Sequence, residues 1–365
     1  MKLTNHVVLG LYSDPSAFTI EAAILETDGL DISKVFATLS RPYPHDLHEE
    51  LLKYTGQNHI PPKTFNKINQ LVSQFFIQVA QEIITEVAPQ NLHIDFIGLS
   101  GHSAVHQPES KAHINFGDAQ IIADALQIPV IHHFVKEDLN AGGVGTPLLT
   151  TFWDALCRKL EKPLAIITLG GVSRLVYLGP MGELIGFDIG AGLTLLDRWI
   201  QRRTGQEMDF NGNLGAQGTP EPRVLKKLLN MPYLLKKPPK SVQRTDFQDI
   251  AEQLEALSPA DGAATLTAFI AQCIAQSQNF LPLPPTQWIC IGGGIANPTL
   301  MLQLAQLLPN VKTAQQVLPY TNELNAMGFA FIASRYQQKL PITFPSTTGV
   351  LEPISGGKIT YPGKS

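Results

Sequence analysis

Leu164-Ala-Ile-Ile-Thr-Leu-Gly170-Gly171-Val-Ser173-Arg174-Leu-Val-Tyr177 leads through Gly179-Pro180-Met-Gly182 to Phe187-Asp188-Ile-Gly190-Ala-Gly192. Apolar run, Gly-Gly turn, second apolar run and glycine turn read as a β-hairpin feeding a third strand. Leu193, Leu196 and Trp199 follow three apart, so a helix begins just after Gly192. Asp188 therefore stands where strand gives way to helix, between glycines that admit a second backbone or a phosphate. A carboxylate there is a candidate general base or metal ligand; an ordinary turn or N-cap aspartate is the alternative reading.

The same layout occurs near the N-terminus. Val7 to Tyr12, the polar turn Ser13-Asp14-Pro15-Ser16, and Phe18 to Leu25 repeat strand, turn and strand, which points to an internal duplication. Lys67 to Val87 carries apolar residues at helical spacing. Ile94 to Leu99 reads as a strand running into Ser100-Gly101-His102-Ser103, and Asn115-Phe-Gly117-Asp118 precedes a helix over Ala119 to Leu126. Ile128 to Ile131 is a short strand, and His132 and His133 beyond it are expected on opposite faces. Lys136 to Pro147 reads as a glycine-rich loop that folds over a ligand or acts as a hinge. Gln206 to Pro222 and Lys236 to Arg244 read as surface excursions, Asp261 to Ala275 and Glu323 to Tyr336 as helices.

Gln287 to Ile291 is again a strand, followed by Gly292-Gly293-Gly294 and Asn297-Pro298. Glycine turns at 170–171, 190–192 and 292–294 thus recur at strand ends in one half of the chain, where successive N–H groups can cradle phosphates. No P-loop or dinucleotide fingerprint is present. Strands alternating with helices make the class α/β.

A chain of 365 residues is long enough for two domains. A formal net charge of −4 lacks the basic face of a nucleic-acid binder, so no nucleic-acid partner is expected. Cys157, Cys273 and Cys290 show no CxxC spacing and read as buried thiols in a reducing compartment. No apolar run approaches the roughly 18–20 residues that span a bilayer, and the N-terminus lacks a secretory pattern. No membrane partner and a cytoplasmic location are expected.

The order of motifs resembles the anhydro-N-acetylmuramic acid kinases of the hexokinase–actin–Hsp70 superfamily over essentially the whole chain. The resemblance is carried by Leu169-Gly-Gly-Val-Ser-Arg-Leu, Gly186-Phe-Asp188-Ile-Gly190-Ala-Gly192, Phe116-Gly117-Asp118, Asp138 to Leu148, Pro238-Pro-Lys-Ser241, Ile291-Gly-Gly-Gly-Ile-Ala-Asn297-Pro298 and Phe344-Pro-Ser-Thr-Thr-Gly349. It implies two ribonuclease-H-like domains with a nucleotide cleft between them, one over 1–130 plus 340–365 and one over 131–339. It implies ATP with Mg²⁺, a small amino-sugar substrate and a homodimer. Family members use ATP and water to open a 1,6-anhydro bridge and phosphorylate the 6-oxygen. The resemblance makes Asp188 the base that activates the water. It places Gly170, Gly171, Gly190 and Gly192 at the phosphates, and Gly292, Gly293, Gly294 and Asn297 at the adenosine end. Ser13 and Ser16 would belong to the first phosphate loop, and Ser103, Asp118 and Arg244 to the sugar side.

The chain departs from the family at several points. The family loop Met-Ser-Gly-Thr-Ser-x-Asp-Gly is here Tyr12-Ser13-Asp14-Pro15-Ser16-Ala17-Phe18-Thr19. Asp14 is either a charge set against the triphosphate or a Mg²⁺ ligand. An Asp-Phe-Arg motif appears as His133-Phe134-Val135, and a glutamate before the last helix as Asn325. Three readings are open: a working anhydrosugar kinase, a pseudokinase that keeps the fold as a binding or regulatory partner, and a kinase for a different sugar.

Overall fold

The N-terminal repeat of strand, turn and strand forms as read. β1 (His6–Ser13) pairs antiparallel with β2 (Thr19–Thr27), and β2 with β3 (Ile32–Pro42). The computed structural model describes residues 3–14, 16–57, 59–242, 244–247 and 250–363, without the side chains of residues 244, 245 and 251. These residues form two units, Met1–Arg158 with Tyr320–Ser365, and Lys159–Pro319.

In the first unit β4 (Phe96–Leu99) runs parallel to β1, while β5 (His102–Gln107) and β6 (Ala112–Phe116) form a separate hairpin. β7 (Val130–His132) lies parallel to β4, and the late strand Lys358–Thr360 closes the edge, giving the order Lys358–Thr360, β7, β4, β1, β2, β3. Alternation along β1 sends Leu9 and Leu11 into the core shared with the helix Pro62–Val87, whose Ile68, Val72, Phe76, Val79 and Ile83 are fully buried. Each such side chain contributes about 1.5–3 kcal/mol of burial. Gly10 and Gly98 face the helix Leu324–Gln337. A Cβ at Gly10 would stand 1.8 Å from the carbonyl oxygen of Ala326, and one at Gly98 2.2 Å from that of Phe329. This packing draws residues 320–339 into the first unit, and the β7–β4 pairing draws in residues 131–158. The boundaries expected at 130 and 340 accordingly fall after Arg158 and before Tyr320.

The second unit repeats the sheet. β8 (Leu164–Leu169), β9 (Val172–Leu178) and β10 (Leu184–Ala191) form an antiparallel meander, and β11 (Gln287–Ile291) and β12 (Val311–Thr313) add parallel to β8. The order β10-β9-β8-β11-β12 matches β3-β2-β1-β4-β7 strand for strand. Two ribonuclease-H-like sheets therefore stand in one chain: the duplication that the repeated hairpins suggested, in the fold that the resemblance implied. The helix Pro259–Ser277 is buried nearly all round beneath the second sheet, with Leu266, Phe269, Ile270 and Ile274 in its core. All three cysteines are buried, and none is in a disulfide. No described helix is long and apolar enough to cross a membrane.

Three local expectations change. Lys136 to Pro147 is not one open loop: Phe134–Asn140 is helical, and the buried carboxylate of Asp138 ties down the residues beyond it. It accepts from Gly145 N–H (2.7 Å) and from the Thr348 hydroxyl (2.6 Å). The segment 236–242 is not wholly a surface excursion, since Lys240 and Ser241 are buried; 206–222 is largely exposed, as expected, and is tied down by buried Asp209, which accepts from the N–H groups of Leu214 and Gly215. His133 leaves the strand with φ +64°, which brings its ring to 4.2 Å from that of His132 instead of to the opposite face.

Candidate active site

β8, β10 and β11 run in the same direction, so their carboxyl ends share one edge of the second sheet. The glycine turns meet there. Gly192 N–H donates to the carbonyl of Gly171 (3.2 Å), and Leu193 N–H to that of Gly170 (2.8 Å). A side chain on Gly192 would strike Gly170 O at 2.3 Å, and one on Gly294 would strike Leu169 at 2.6 Å. The helix Leu193–Thr204 starts at this edge with Gly192 as its N-cap and no side-chain cap, which leaves its positive end available to an anion.

The glycines are not equivalent. A Cβ on Gly293 would meet nothing within 4 Å, and the residue is exposed. Gly190 is buried with Leu234 and Phe247 against its bare face, so the core fills that side. Asn297 serves as N-cap of the helix Pro298–Leu307, its Oδ1 accepting from Leu300 N–H (3.0 Å).

Asp188 lies within β10 and is 2% exposed; the N-cap of the following helix is Gly192. The N-cap reading of Asp188 thus falls away. The ladder with β9 pairs Asp188 with Arg174 and Gly190 with Ser173, leaving Ile189 as a bulge that re-aims the neighbouring carboxylate. Arg174 Nε donates to Oδ1 at 2.7 Å. Oδ2 accepts from the Ser241 hydroxyl and the Val242 N–H, both at 3.0 Å. The main chain of Asp188 is gripped as well: its N–H donates to Lys240 O (3.1 Å), and the Tyr233 hydroxyl donates to its carbonyl (2.8 Å). An ionised carboxylate offers about four acceptor positions. Three are filled here, and the fourth, on Oδ1, has no partner among the described residues.

In the first unit the corresponding turn follows β1. Ser13 is 2% exposed, and its hydroxyl bonds Tyr43 Oη (2.8 Å) and His102 Nδ1 (2.9 Å). Burial holds His102 down to about 4, hence neutral, with Nε2 lacking a described partner. Both oxygens of Asp14 accept from Ser16, from its N–H (3.2 Å) and from its hydroxyl. Pro15 and the side chain of Arg244 lie outside the described residues. Glu21, on β2, is pushed up to about 7, first by burial and then by the charges of Glu323 and Asp14, against weak hydrogen bonds from Ala326 and Asn325. No group of three or more His, Cys, Asp or Glu that could hold a metal occurs among the described residues. Ser103 Oγ pairs with His113 Nε2 (3.1 Å), and Asp118 Oδ1 caps the helix Ala119–Leu126.

The sequence pointed to Asp188 and the strand-end glycines but not to the residues that hold the carboxylate. Arg174 sits one strand away, where cross-strand pairing brings it opposite Asp188. Tyr233 comes from the short helix Pro232–Leu235, and Ser241 and Val242 from the irregular segment after it, whose Lys, Pro and Ser composition signals exposure. The Pro238-Pro-Lys-Ser241 motif was the available signal.

Two ribonuclease-H-like sheets of identical order, one with glycine turns converging on an uncapped helix, define the class of actin- and hexokinase-type proteins. The family model for anhydro-N-acetylmuramic acid kinase matches residues 6–362. The chain is 35% identical to a protein of that name from Rhodopseudomonas palustris (strain BisB18) over 364 residues, 97% of this chain and 99% of the relative. It is 34% identical to one from Paramagnetospirillum magneticum, covering 98% and 100%. Component A of (R)-2-hydroxyglutaryl-CoA dehydratase from Acidaminococcus fermentans superposes with TM-score 0.46 at 12% identity, covering 92% of this chain and 100% of that one. The chain belongs to the anhydro-N-acetylmuramic acid kinase family.

Proposed function

We propose that this chain uses ATP and water to open the 1,6-anhydro bridge of an anhydro amino sugar and to place phosphate on its 6-oxygen. The observation that carries the reading is Asp188: a buried carboxylate with three donors, one acceptor position left on Oδ1, and a glycine-lined anion site at the neighbouring strand ends. Oδ1 takes a proton from the water as the water oxygen bonds the anomeric carbon. The bond from that carbon to the 6-oxygen breaks, the freed oxygen bonds the terminal phosphorus, and the phosphorus–oxygen bond to ADP breaks. Arg174, Ser241 and Val242 fix the carboxylate in place for that step.

Gly170, Gly171, Gly192 and the start of the helix Leu193–Thr204 receive phosphate oxygens on their N–H groups, and Gly292 to Gly294 line the adenosine end. Gly190 and Asn297 act by packing and by capping. On the first unit the hairpin turn supplies Ser16, while Ser103 and the free Oδ2 of Asp118 face the sugar. Mg²⁺ fits the same turn. Asp14 would hold the ion, with Glu21 beside it, its carboxyl pushed up to about 7 first by burial and only in small part by the charges of Glu323 and Asp14. Bound there, it would neutralise phosphate charge.

The direct test is incubation with MgATP and 1,6-anhydro-N-acetylmuramic acid in oxygen-18-labelled water. The expected product carries the label at the anomeric carbon and phosphate on the 6-oxygen. Label in released phosphate, with no sugar phosphate, would contradict the reading. One observation favours a binding protein without turnover: Asp14 occupies both donors of Ser16, turning them away from phosphate. That reading requires measurable MgATP binding and no product.

A further inference from the structure

We propose that Lys240 is a positioning residue for the reaction, its buried ammonium anchoring the segment that presents Ser241 and Val242 to Asp188. The inference rests on the reading of Asp188 as the base. Lys240 is 1% exposed, yet it has no carboxylate within ion-pair distance among the described residues. Among the described residues its Nζ donates only to the carbonyls of Tyr233 and Leu234, at 3.3 and 3.4 Å. It stands over the rings of Tyr233 and Phe280, each 4.8 Å to the centroid, and of Phe187 at 5.8 Å. An ammonium so placed is costly to fold around, and ring faces return only part of that cost. A methionine or leucine would fill the space without the penalty.

The role of the charge lies next to it in the chain. The Lys240 carbonyl accepts the Asp188 N–H, Ser241 and Val242 donate to Asp188 Oδ2, and the caging Tyr233 donates to the Asp188 carbonyl. Anchor, cage and base form one connected unit.

Titration makes the device readable. Burial lowers Lys240 to about 8, with help from Lys236, against the charges of Asp188 on β10 and Asp246; Cys273 on Pro259–Ser277 also faces it. Cys273 is itself pushed up by burial, as is Tyr233, so neither ionises in the same range. Above pH 8 the anchor loses its charge and turnover falls. The folded lysine releases its proton before the unfolded one does, so this group adds stability between about pH 8 and 10.5. An alkaline loss of activity without loss of stability is the signature.

The test compares kcat against pH for wild type, Lys240→Met, Lys240→Arg and Asp188→Asn, with amide exchange at Val242. Lys240→Met is expected to lower kcat about 10- to 100-fold with KM for ATP unchanged, to abolish the alkaline limb and to expose the Val242 amide. Lys240→Arg, charged throughout, is expected to move the limb upward by more than one pH unit and to recover part of kcat. An unchanged limb in either variant, or a Val242 amide still protected in Lys240→Met, would overturn the inference. Should Lys240→Met fail to fold, the Arg variant alone decides. Full turnover in Asp188→Asn would instead sink the base reading, and Val242 exchange would still decide whether the lysine holds the segment.

Discussion

Single residues at the strand ends divide into those that shape the edge and those that a ligand would touch, and substitution tells them apart. Gly292 has φ +87° with Leu169 O 2.9 Å from its would-be Cβ, and Gly294 abuts Leu169. Alanine at either is expected to lower stability, by about 1–3 kcal/mol, whatever the ligand. Gly293→Ala meets open space, so its melting point should stay near wild type while ATP affinity drops at least about tenfold, or 1.4 kcal/mol. Thermal melts with titration calorimetry measure both; unchanged affinity would remove this turn from the nucleotide site. Asp188 was legible as a residue because a lone carboxylate among glycines at a strand end is chemically conspicuous. Its partners were not, since hydrogen bonds from Ser241 and Val242 span more than fifty positions that no local pattern links. Gly190 and Asn297 look like ligand residues by motif and turn out to serve the core and a helix cap.

Among elements, the contact of the helix Leu324–Gln337 with β1 and β4 depends on two bare backbone positions, Gly10 and Gly98. Gly10→Ala is expected to destabilise the first unit by at least about 1–3 kcal/mol, read as a lower denaturation midpoint with unchanged slope. A neutral result would mean that the helix does not sit against the strand. The hairpin turn carries a pH dependence of its own. Glu21, raised to about 7 from 4.5 mainly by burial, binds its proton more tightly folded than unfolded. Its ionisation therefore costs stability that is absent below about pH 4.5 and complete above 7. Metal-free Glu21→Gln should exceed wild type by about 1–3 kcal/mol at pH 8, and the gap should close towards pH 4.5. A gap independent of pH would contradict the assignment. Helices with a clear 3.6 period, such as Pro62–Val87, could be read because one face is buried. The segment 236–242 could not, because its Lys and Pro enter the core through partners supplied by distant elements.

On the scale of the molecule, the duplication was visible as two hairpins of like punctuation, and both sheets carry the same strand order. The division into units was less visible. Residues 320–339 join the first unit through helix-to-strand packing at Gly10 and Gly98, a long-range effect that leaves no linker-like composition behind. Family membership joins a fold read from patterning to an ATP-dependent sugar kinase, for which Asp188 is the proposed base. That chemistry is tested most directly by steady-state phosphorylation of 1,6-anhydro-N-acetylmuramic acid by Asp188→Asn, with ATP affinity measured on the same protein. The isosteric amide keeps the space but is far less able to take a proton. The account predicts a kcat lower by about 10²–10⁴-fold with ATP affinity close to wild type, and a lower melting point, since the amide nitrogen must face a donor, either Arg174 or Val242 N–H. Turnover near wild type in a folded, ATP-binding Asp188→Asn would contradict it.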